Sequence, residues 1–255
     1  MMLFLRSLIF NVWVYISMAI YGIGLLPIGM YSRDGAHWVM RAYSLHVFWV
    51  ARHLLGLKWE VRGPIPEGEA LLVAKHQSFA DMMIFEIALE QAKFVMKNEL
   101  RYAPFLGWYA VRVGTVTVKR GKGGSAVASM TRQFVAEQKA RPGQLTIFAQ
   151  GTRVQPGVER PWKVGAWRLY NTFEHLPCIP VALNTGLFWG KGTFLRPPGT
   201  MVVEFLPPVE HGLTADDFLE TVETRIETAC DALYAEAAAK GEGIDWQRQP
   251  KIDAA

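Results

Sequence analysis

The chain has 255 residues, of which 51% are hydrophobic and 20% are charged, and its formal net charge is +4. This length suits one large domain with an accessory segment. The two cysteines, Cys178 and Cys230, lie far apart in sequence without ligand spacing. They support neither a disulfide framework nor a cysteine zinc site, and a reducing compartment is favoured.

Charge is distributed unevenly along the chain. Residues 1–62 carry six Lys/Arg and two Asp/Glu, residues 63–163 carry fourteen and eight, and residues 164–255 carry seven and thirteen. A basic front and middle indicate an anionic partner, for which nucleic acid and anionic lipid are both candidates, whereas a solvated surface without a partner is the alternative. Nucleic acid is disfavoured because the basic residues are dispersed and no aromatic-basic platform is present.

The N-terminal segment favours lipid. The run 3–31 holds one charge, Arg6, is long enough to span a bilayer, and lacks the small-residue cleavage site of a signal peptide. Residues 36–57 are amphipathic and suit the headgroup layer. We therefore predict membrane anchor helices over residues 1–57, either as a single span with an interfacial helix or as a re-entrant pair in one leaflet; a buried core helix is the less favoured alternative.

Beyond residue 63, short apolar runs alternate with helical segments. Strands are predicted at 58–62, 70–75, 93–96, 113–119, 144–149, 178–184 and 201–206. Helices are predicted at 79–91, 104–112, 125–140, 162–174 and 214–240. The last helix has an apolar stripe, which we interpret as core packing, with Glu220, Glu223 and Glu227 on the opposite face.

This alternation predicts an α/β fold with a mixed, largely parallel sheet flanked by helices, preceded by the N-terminal membrane-associated helical pair. The predicted α/β domain spans residues 58–240, and residues 241–255 form a C-terminal tail. Buried parallel strands fit the apolar runs at 70–74 and 145–149.

The stretch Lys75-His76-Gln77-Ser78-Phe79-Ala80-Asp81 follows the apolar strand at 70–74. It places His76 where a strand gives way to a helix, with Asp81 one turn into that helix. A neutral imidazole takes a proton from an alcohol when its second nitrogen is held and the resulting charge is stabilised. The spacing therefore predicts an acyl-transfer site. Ser78 and Asp81 also fit a capping box, so Asp81 could serve only to begin the helix.

Three more apolar strands end in polar clusters. These clusters are Lys119-Arg120-Gly121-Lys122, Gln150-Gly151-Thr152-Arg153 and Asn184-Thr185-Gly186. Ligands of open α/β sheets bind at the carboxyl ends of strands, and arginines beside a glycine suit a phosphate group. Together with His76, the clusters predict a site for a phosphate-bearing ligand.

These four blocks resemble those of the membrane-bound glycerolipid acyltransferases, most closely the 1-acyl-sn-glycerol-3-phosphate acyltransferase family. That family has an Asn-His-x4-Asp block, a Gly-x5-Arg block, a Phe-Pro-Glu-Gly-Thr-Arg block and an apolar block around a proline. The matching residues here run from Lys75 to Asp81, from Gly114 to Arg120, from Phe148 to Arg153, and over Ile179-Pro180-Val181. The resemblance covers roughly residues 58–206.

The resemblance implies a role for each matching residue. His76 would be the general base for the acceptor hydroxyl, and Asp81 would orient it. The remaining residues would bind substrate: Lys119, Arg120 and Arg153 at the acceptor phosphate, Gly151 and Thr152 in shaping that loop, Gln150 at an acceptor hydroxyl, and Pro180 near the acyl donor.

The resemblance also implies the substrates and the location. The donor would be an acyl-CoA or an acyl-carrier protein, the acceptor a lysophospholipid, and the enzyme would contact membrane lipid with its active site on the cytoplasmic side of the cell inner membrane. No cofactor, metal or nucleic acid is expected. The acyl chain would need an apolar slot, for which the aromatic-rich segments 105–111 and 187–190 are candidates, although core packing also explains them.

Three positions depart from the family pattern: Lys75 replaces Asn, Ala149 replaces Pro and Gln150 replaces Glu. Glutamine keeps a carbonyl acceptor but lacks the negative charge, so the acceptor stays open between lysophosphatidic acid and a lyso-ornithine lipid, another lysophospholipid or glycerol 3-phosphate. The transition-state oxyanion needs donors, for which backbone N–H groups near His76 and the Lys75 ammonium are candidates.

Two other classes are weaker. A hydrolase would use Ser78 or Ser125 as its nucleophile, but the sequence has no Gly-x-Ser-x-Gly elbow. The second class is a membrane-binding protein without catalytic activity, and the retention of both His76 and Asp81 argues against it.

Overall fold

The computed structural model describes residues 1–119 and 123–247. Three helices begin the chain: α1 (Met2–Gly24), α2 (Leu26–Tyr31) and α3 (Arg33–Leu55). The apolar run at 3–31 is therefore divided at Leu25, because Pro27 lacks a backbone N–H donor and is tolerated in the first turn of a new helix. The Ser32 side chain accepts a hydrogen bond from Gly35 N at 2.9 Å, which begins α3.

Among the described residues, eight strands follow in two sheets. In chain order they are β1 (Leu57–Arg62), β2 (Ala70–Ala74), β3 (Ala92–Lys93), β4 (Val95–Lys97), β5 (Val116–Val118), β6 (Gln144–Phe148), β7 (Cys178–Leu183) and β8 (Gly199–Phe205). The main sheet has the order β1-β8-β7-β2-β6-β3, and all its pairs are parallel except β7 with β8; β4 and β5 form a separate parallel pair. The prediction of a mixed, largely parallel sheet is confirmed.

Helices cover the sheet. They are α4 (Phe79–Ala88), a 3-10 helix (Asn98–Tyr102), α5 (Leu106–Arg112), α6 (Gly123–Ala140), α7 (Gly165–Thr172), α8 (Gly186–Trp189) and α9 (Ala215–Ala239). Two strand predictions differ from the structure. The strand expected at 93–96 is two short strands on either side of Phe94. The one expected at 113–119 is confined to Val116–Val118, because a turn through Gly114, with a φ of +85°, separates it from α5.

The central strands β2, β6 and β7 are buried along their whole length, as expected for strands covered on both faces. The same core continues into the N-terminal helices, since Phe10 of α1 and Phe48 of α3 are buried within it. The domain boundary at residue 57 stays a prediction, and core packing is continuous across it.

The register of β2 determines where the polar blocks meet. Ala74 at the end of β2 pairs with Phe148 of β6 on one side and with Val181 of β7 on the other. The residues that follow these three strands therefore emerge at the same edge of the sheet. His76 lies at the centre of that edge.

Candidate active site

The residues from His76 to Asp81, which we call the histidine turn, connect β2 to α4. His76 Nδ1 lies 2.8 Å from Asp81 Oδ2. Because an ionised carboxylate only accepts hydrogen bonds, this contact assigns the ring proton of the neutral imidazole to Nδ1 and leaves Nε2 as the acceptor. An acceptor nitrogen at this position is what a general base requires.

Asp81 performs both tasks that the sequence left open. Its Oδ2 accepts hydrogen bonds from Gln77 N at 2.7 Å and Ser78 N at 2.9 Å, while Ser78 Oγ accepts one from Ala80 N at 3.0 Å. The capping box is thus present, and the same carboxylate also holds the imidazole. Capping the helix fixes the carboxylate in the position from which it orients His76.

The imidazole is partly open to solvent. Its side chain is 16% exposed, whereas that of Asp81 is 0% exposed. One face stacks on Phe148, with ring centroids 4.0 Å apart. Within residues 1–119 and 123–247, the Nε2 atom has no hydrogen-bond partner, so it is available to a substrate hydroxyl.

Residues 150–163, which we call the basic loop, run beside the histidine turn. Val154 N donates to His76 O at 2.7 Å, and Ala149 N donates to Ala74 O at 3.1 Å. Gly151 turns the chain with a φ of +67°, a conformation that favours glycine. Arg153 is exposed and directly precedes the residue bonded to His76, and Thr152 is half-buried.

Lys163 is a basic residue at this site that the sequence reasoning missed. Its backbone N donates to Ala149 O at 3.0 Å, and its Cδ would lie 3.3 Å from a Cβ on residue 151. Its side chain is exposed, so its ammonium group extends from the loop that carries Arg153. The available signal was a lysine two residues before the glycine that begins α7, ten residues downstream of the Gln-Gly-Thr-Arg block.

Gln150 points into the protein. It is 2% exposed, its Nε2 lies 3.5 Å from Arg160 O, and its Oε1 is buried without a described partner. Pro180 is buried in the middle of β7, opposite Val73. Lys119 is exposed after β5, and Arg120 lies outside the described residues. The substrate-binding roles of these residues stay predictions.

Lys75 does not reach the site. Its ammonium is buried and paired with Glu227 of α9 at 2.7 Å, so the interpretation of Lys75 as an oxyanion donor is wrong. Glu227, which the sequence placed on the face opposite the apolar stripe, instead pairs with a buried lysine, so that prediction is wrong for this residue. Burial also raises the pKa of the neighbouring Cys230 to about 12, so this thiol stays protonated.

The last helix thus supports the histidine turn, although its sequence indicated only core packing. The side-chain amide of Gln77 donates to the hydroxyl of Tyr234, which is buried, and Gln77 Oε1 accepts from Gly186 N at 2.9 Å. Burial raises the pKa of Tyr234 well above its ordinary value, so the hydroxyl stays protonated. These contacts join residues that are far apart in sequence.

Comparison with known proteins gives a consistent result. A family model described as acyltransferase matches residues 58–184. The 1-acyl-sn-glycerol-3-phosphate acyltransferase of Pseudomonas aeruginosa is 29% identical over 172 residues, which cover 66% of each protein. The lyso-ornithine lipid O-acyltransferase of the same organism is 38% identical over 107 residues, covering 41% of this chain and 40% of that protein.

The fold also matches a solved structure. The crystal structure of the 1-acyl-sn-glycerophosphate acyltransferase of Thermotoga maritima has a TM-score of 0.74 and 21% sequence identity, covering 91% of this chain and 97% of that one. At this identity the likeness shows the fold. The chain spans just under two thirds of the length of the Pseudomonas 1-acyl-sn-glycerol-3-phosphate acyltransferase.

Proposed function

The chain belongs to the acyltransferase family, and on that premise we propose that it transfers a fatty acyl group from an acyl thioester to the sn-2 hydroxyl of lysophosphatidic acid, giving phosphatidic acid. The observation that carries the proposal is the pairing of His76 with Asp81 next to the exposed cations of the basic loop. A base and an anion-binding loop at the same sheet edge suit an acceptor substrate that carries both a hydroxyl and a phosphate.

The proposed reaction needs no covalent enzyme intermediate. His76 Nε2 accepts the proton of the acceptor hydroxyl as its oxygen attacks the thioester carbonyl. The C–O bond forms, a tetrahedral oxyanion results, and the C–S bond then breaks. The imidazolium, stabilised by Asp81, returns the proton to the leaving thiolate, so the base is regenerated. A positioned base contributes on the order of 10²–10⁴-fold to the rate.

The basic loop supplies the binding part of the proposal. Arg153 and Lys163 have exposed side chains, and Val154 ties the loop to the backbone of His76. Charge-assisted contacts to the phosphate would place the adjacent hydroxyl against Nε2, which lowers the barrier further by orientation.

Membrane association is the second part of the proposal. Within the described part of the chain, α1 alone combines the length and the apolar composition that crossing a bilayer requires. Yet α1 is attached to the protein along its length: Arg196 N donates to Ser7 Oγ at 3.0 Å, Tyr43 OH donates to Val14 O at 2.9 Å, and Tyr109 OH donates to Gly22 O at 3.3 Å. This packing favours the arrangement in one leaflet over the free-standing span.

The apolar face that α1 and its neighbours leave exposed fits such an arrangement. Its large side chains include Phe4, Leu5, Leu8, Ile9, Val12, Ile16, Ile20, Ile28, Trp108 and Val111. A patch of this kind indicates a lipid or protein contact, and both substrates of the proposed reaction carry acyl chains that partition into lipid. The proposal places this face in the inner membrane with the active site at its cytoplasmic surface.

Vesicle binding tests the membrane assignment. The double variant Leu8→Asp with Val12→Asp is expected to bind phosphatidylethanolamine–phosphatidylglycerol vesicles about tenfold more weakly or worse, since two apolar side chains leave the lipid. Val135→Asp changes an exposed apolar residue of α6 and serves as the control. Equal vesicle binding by the wild type, the double variant and Val135→Asp would refute the assignment of this face to the membrane.

An acceptor panel tests the activity. The protein is assayed in vesicles with one labelled acyl-CoA and with lysophosphatidic acid, glycerol 3-phosphate or lyso-ornithine lipid. Lysophosphatidic acid is expected to react fastest. The lyso-ornithine lipid is the second candidate, because a protein of that name is 38% identical over its matched part and Gln150 departs from the usual Glu. A higher kcat/KM for the lipid without phosphate would select the second candidate.

A further inference from the structure

Thr185 directly precedes α8, at the N-cap position, but its side chain does not cap the helix. A threonine there ordinarily accepts a hydrogen bond from an N–H of the first helical turn, but this side chain makes no capping bond. Instead, its hydroxyl donates to Asp81 Oδ1, across 104 residues of sequence. Both side chains are fully buried. The hydroxyl therefore serves the carboxylate of the active site rather than the helix it precedes.

The bond to Thr185 completes the hydrogen bonding of Asp81. Oδ2 receives His76 Nδ1 and two backbone N–H groups, whereas Thr185 is the described partner of Oδ1. A carboxylate bound at both oxygens has a fixed plane, and that plane sets the direction in which the imidazole is held.

We propose that Thr185 is a positioning residue, the third member of a chain Thr185–Asp81–His76 that holds the imidazole with its proton on Nδ1. The inference rests on the proposed function, in which His76 is the base. No part of it requires Thr185 to touch the substrate.

The hydroxyl sits on a rigid support. Gly186 N donates to Gln77 Oε1 at 2.9 Å, and Asn184 Oδ1 accepts from Val202 N at 2.7 Å. A Cβ on residue 186 would lie 2.8 Å from Pro156 Cδ, so this turn packs without spare room. Since the neighbours of Thr185 are fixed on both sides, its hydroxyl is preorganised towards Asp81.

Three variants test the proposal in the lysophosphatidic acid assay. Thr185→Val keeps the shape and removes the hydroxyl; Thr185→Ser keeps the hydroxyl. Thr146→Val is the matched control, because Thr146 is also fully buried but its hydroxyl has no described partner. We expect Thr185→Val to lower kcat by about 10- to 100-fold with the acceptor KM unchanged, and Thr185→Ser to restore kcat. Thr146→Val should retain the wild-type kcat.

A second readout does not depend on turnover. In protein labelled with ¹⁵N-histidine, the His76 signals should report a proton on Nδ1 in the wild type and in Thr185→Ser, and a mixture of tautomers in Thr185→Val. If Thr185→Val folds poorly, Thr185→Ala is used in its place, and the same ¹⁵N-histidine spectrum is recorded. A wild-type kcat and a single tautomer in the variant without the hydroxyl would overturn the proposal, as would a Thr185→Ser variant as slow as Thr185→Val.

His76→Ala separates this inference from the proposed function. If His76→Ala loses turnover while Thr185→Val retains it, only the role of Thr185 is refuted. If His76→Ala itself retains turnover, the proposed base is wrong and the inference fails with it.

Discussion

The histidine turn and the basic loop lie at the same sheet edge but are built in opposite ways. In the turn, Asp81 is fully buried and receives four hydrogen bonds, and the imidazole it holds is mostly covered. In the loop, Arg153 and Lys163 extend into solvent.

The difference corresponds to two functions, proton transfer and substrate binding. A group that moves a proton must be held in one orientation before the substrate arrives, and burial among fixed partners provides that. Cations that bind an anionic headgroup keep their reach when they are hydrated and mobile. Changes in the turn are therefore expected to act on kcat, and changes in the loop on the acceptor KM.

The largest effect is expected from His76→Ala. Removing the base should lower kcat by about 10³-fold or more, whereas binding of lysophosphatidic acid should change little because the basic loop is intact. His175→Ala, at an exposed histidine after α7, is the control and should behave as wild type. A His76→Ala enzyme with near-normal kcat would show that the histidine turn does not supply the catalytic base.

The support of the turn can be broken without touching its chemistry. Glu227→Leu leaves the Lys75 ammonium buried without its partner, which should cost about 3–5 kcal/mol of unfolding free energy. Denaturant unfolding in detergent measures this loss. The double variant Lys75→Met with Glu227→Leu removes both charges and should recover most of the stability. A Glu227→Leu protein as stable as wild type would show that α9 does not support the turn through this pair.

Much of this architecture is readable from sequence. The strands β2 and β6 were predicted to within one residue, because a buried parallel strand is a short apolar run that ends in turn residues. The contact between His76 and Asp81 also follows from local spacing, since a capping position fixes where the side chain at the third helical residue points.

What the sequence could not predict depends on long-range topology. Tyr234 reaches Gln77 across 157 residues and Thr185 reaches Asp81 across 104, and no local pattern records either approach. Glu227 was misassigned because helical periodicity separates an apolar face from a polar one. Periodicity within α9 cannot show that Glu227, between those two faces, meets a lysine buried at the end of β2.

The loop side of the comparison is tested by Arg153→Ala and Lys163→Ala. Each should raise the KM for lysophosphatidic acid about tenfold, the equivalent of one charge-assisted hydrogen bond, and leave kcat nearly unchanged. The dependence of kcat/KM on salt should weaken in both variants, since a screened attraction is lost. Lys58→Ala, at an exposed position on β1, is the control. A fall in kcat at constant KM would place these cations in the chemical step.

The smallest effect is expected at Gln150, the first residue of the basic loop, which lies beside the histidine turn. Its amide is buried beside Arg160 and its Oε1 has no described partner, so a hydroxyl of the acceptor gains access only if the loop shifts. Gln150→Ala should then raise the acceptor KM by about three- to fivefold, which corresponds to one neutral hydrogen bond of about 1 kcal/mol, and leave kcat intact.

Gln155→Ala is the control for that measurement, because this exposed glutamine belongs to the same loop and its side chain donates to Lys191 O, at 3.1 Å, away from the histidine turn. A Gln150→Ala enzyme with an unchanged acceptor KM and a collapsed kcat would contradict the expectation. It would mean that the buried amide supports the histidine turn through the segment that bonds to His76 O, and that the loop shares in positioning the base.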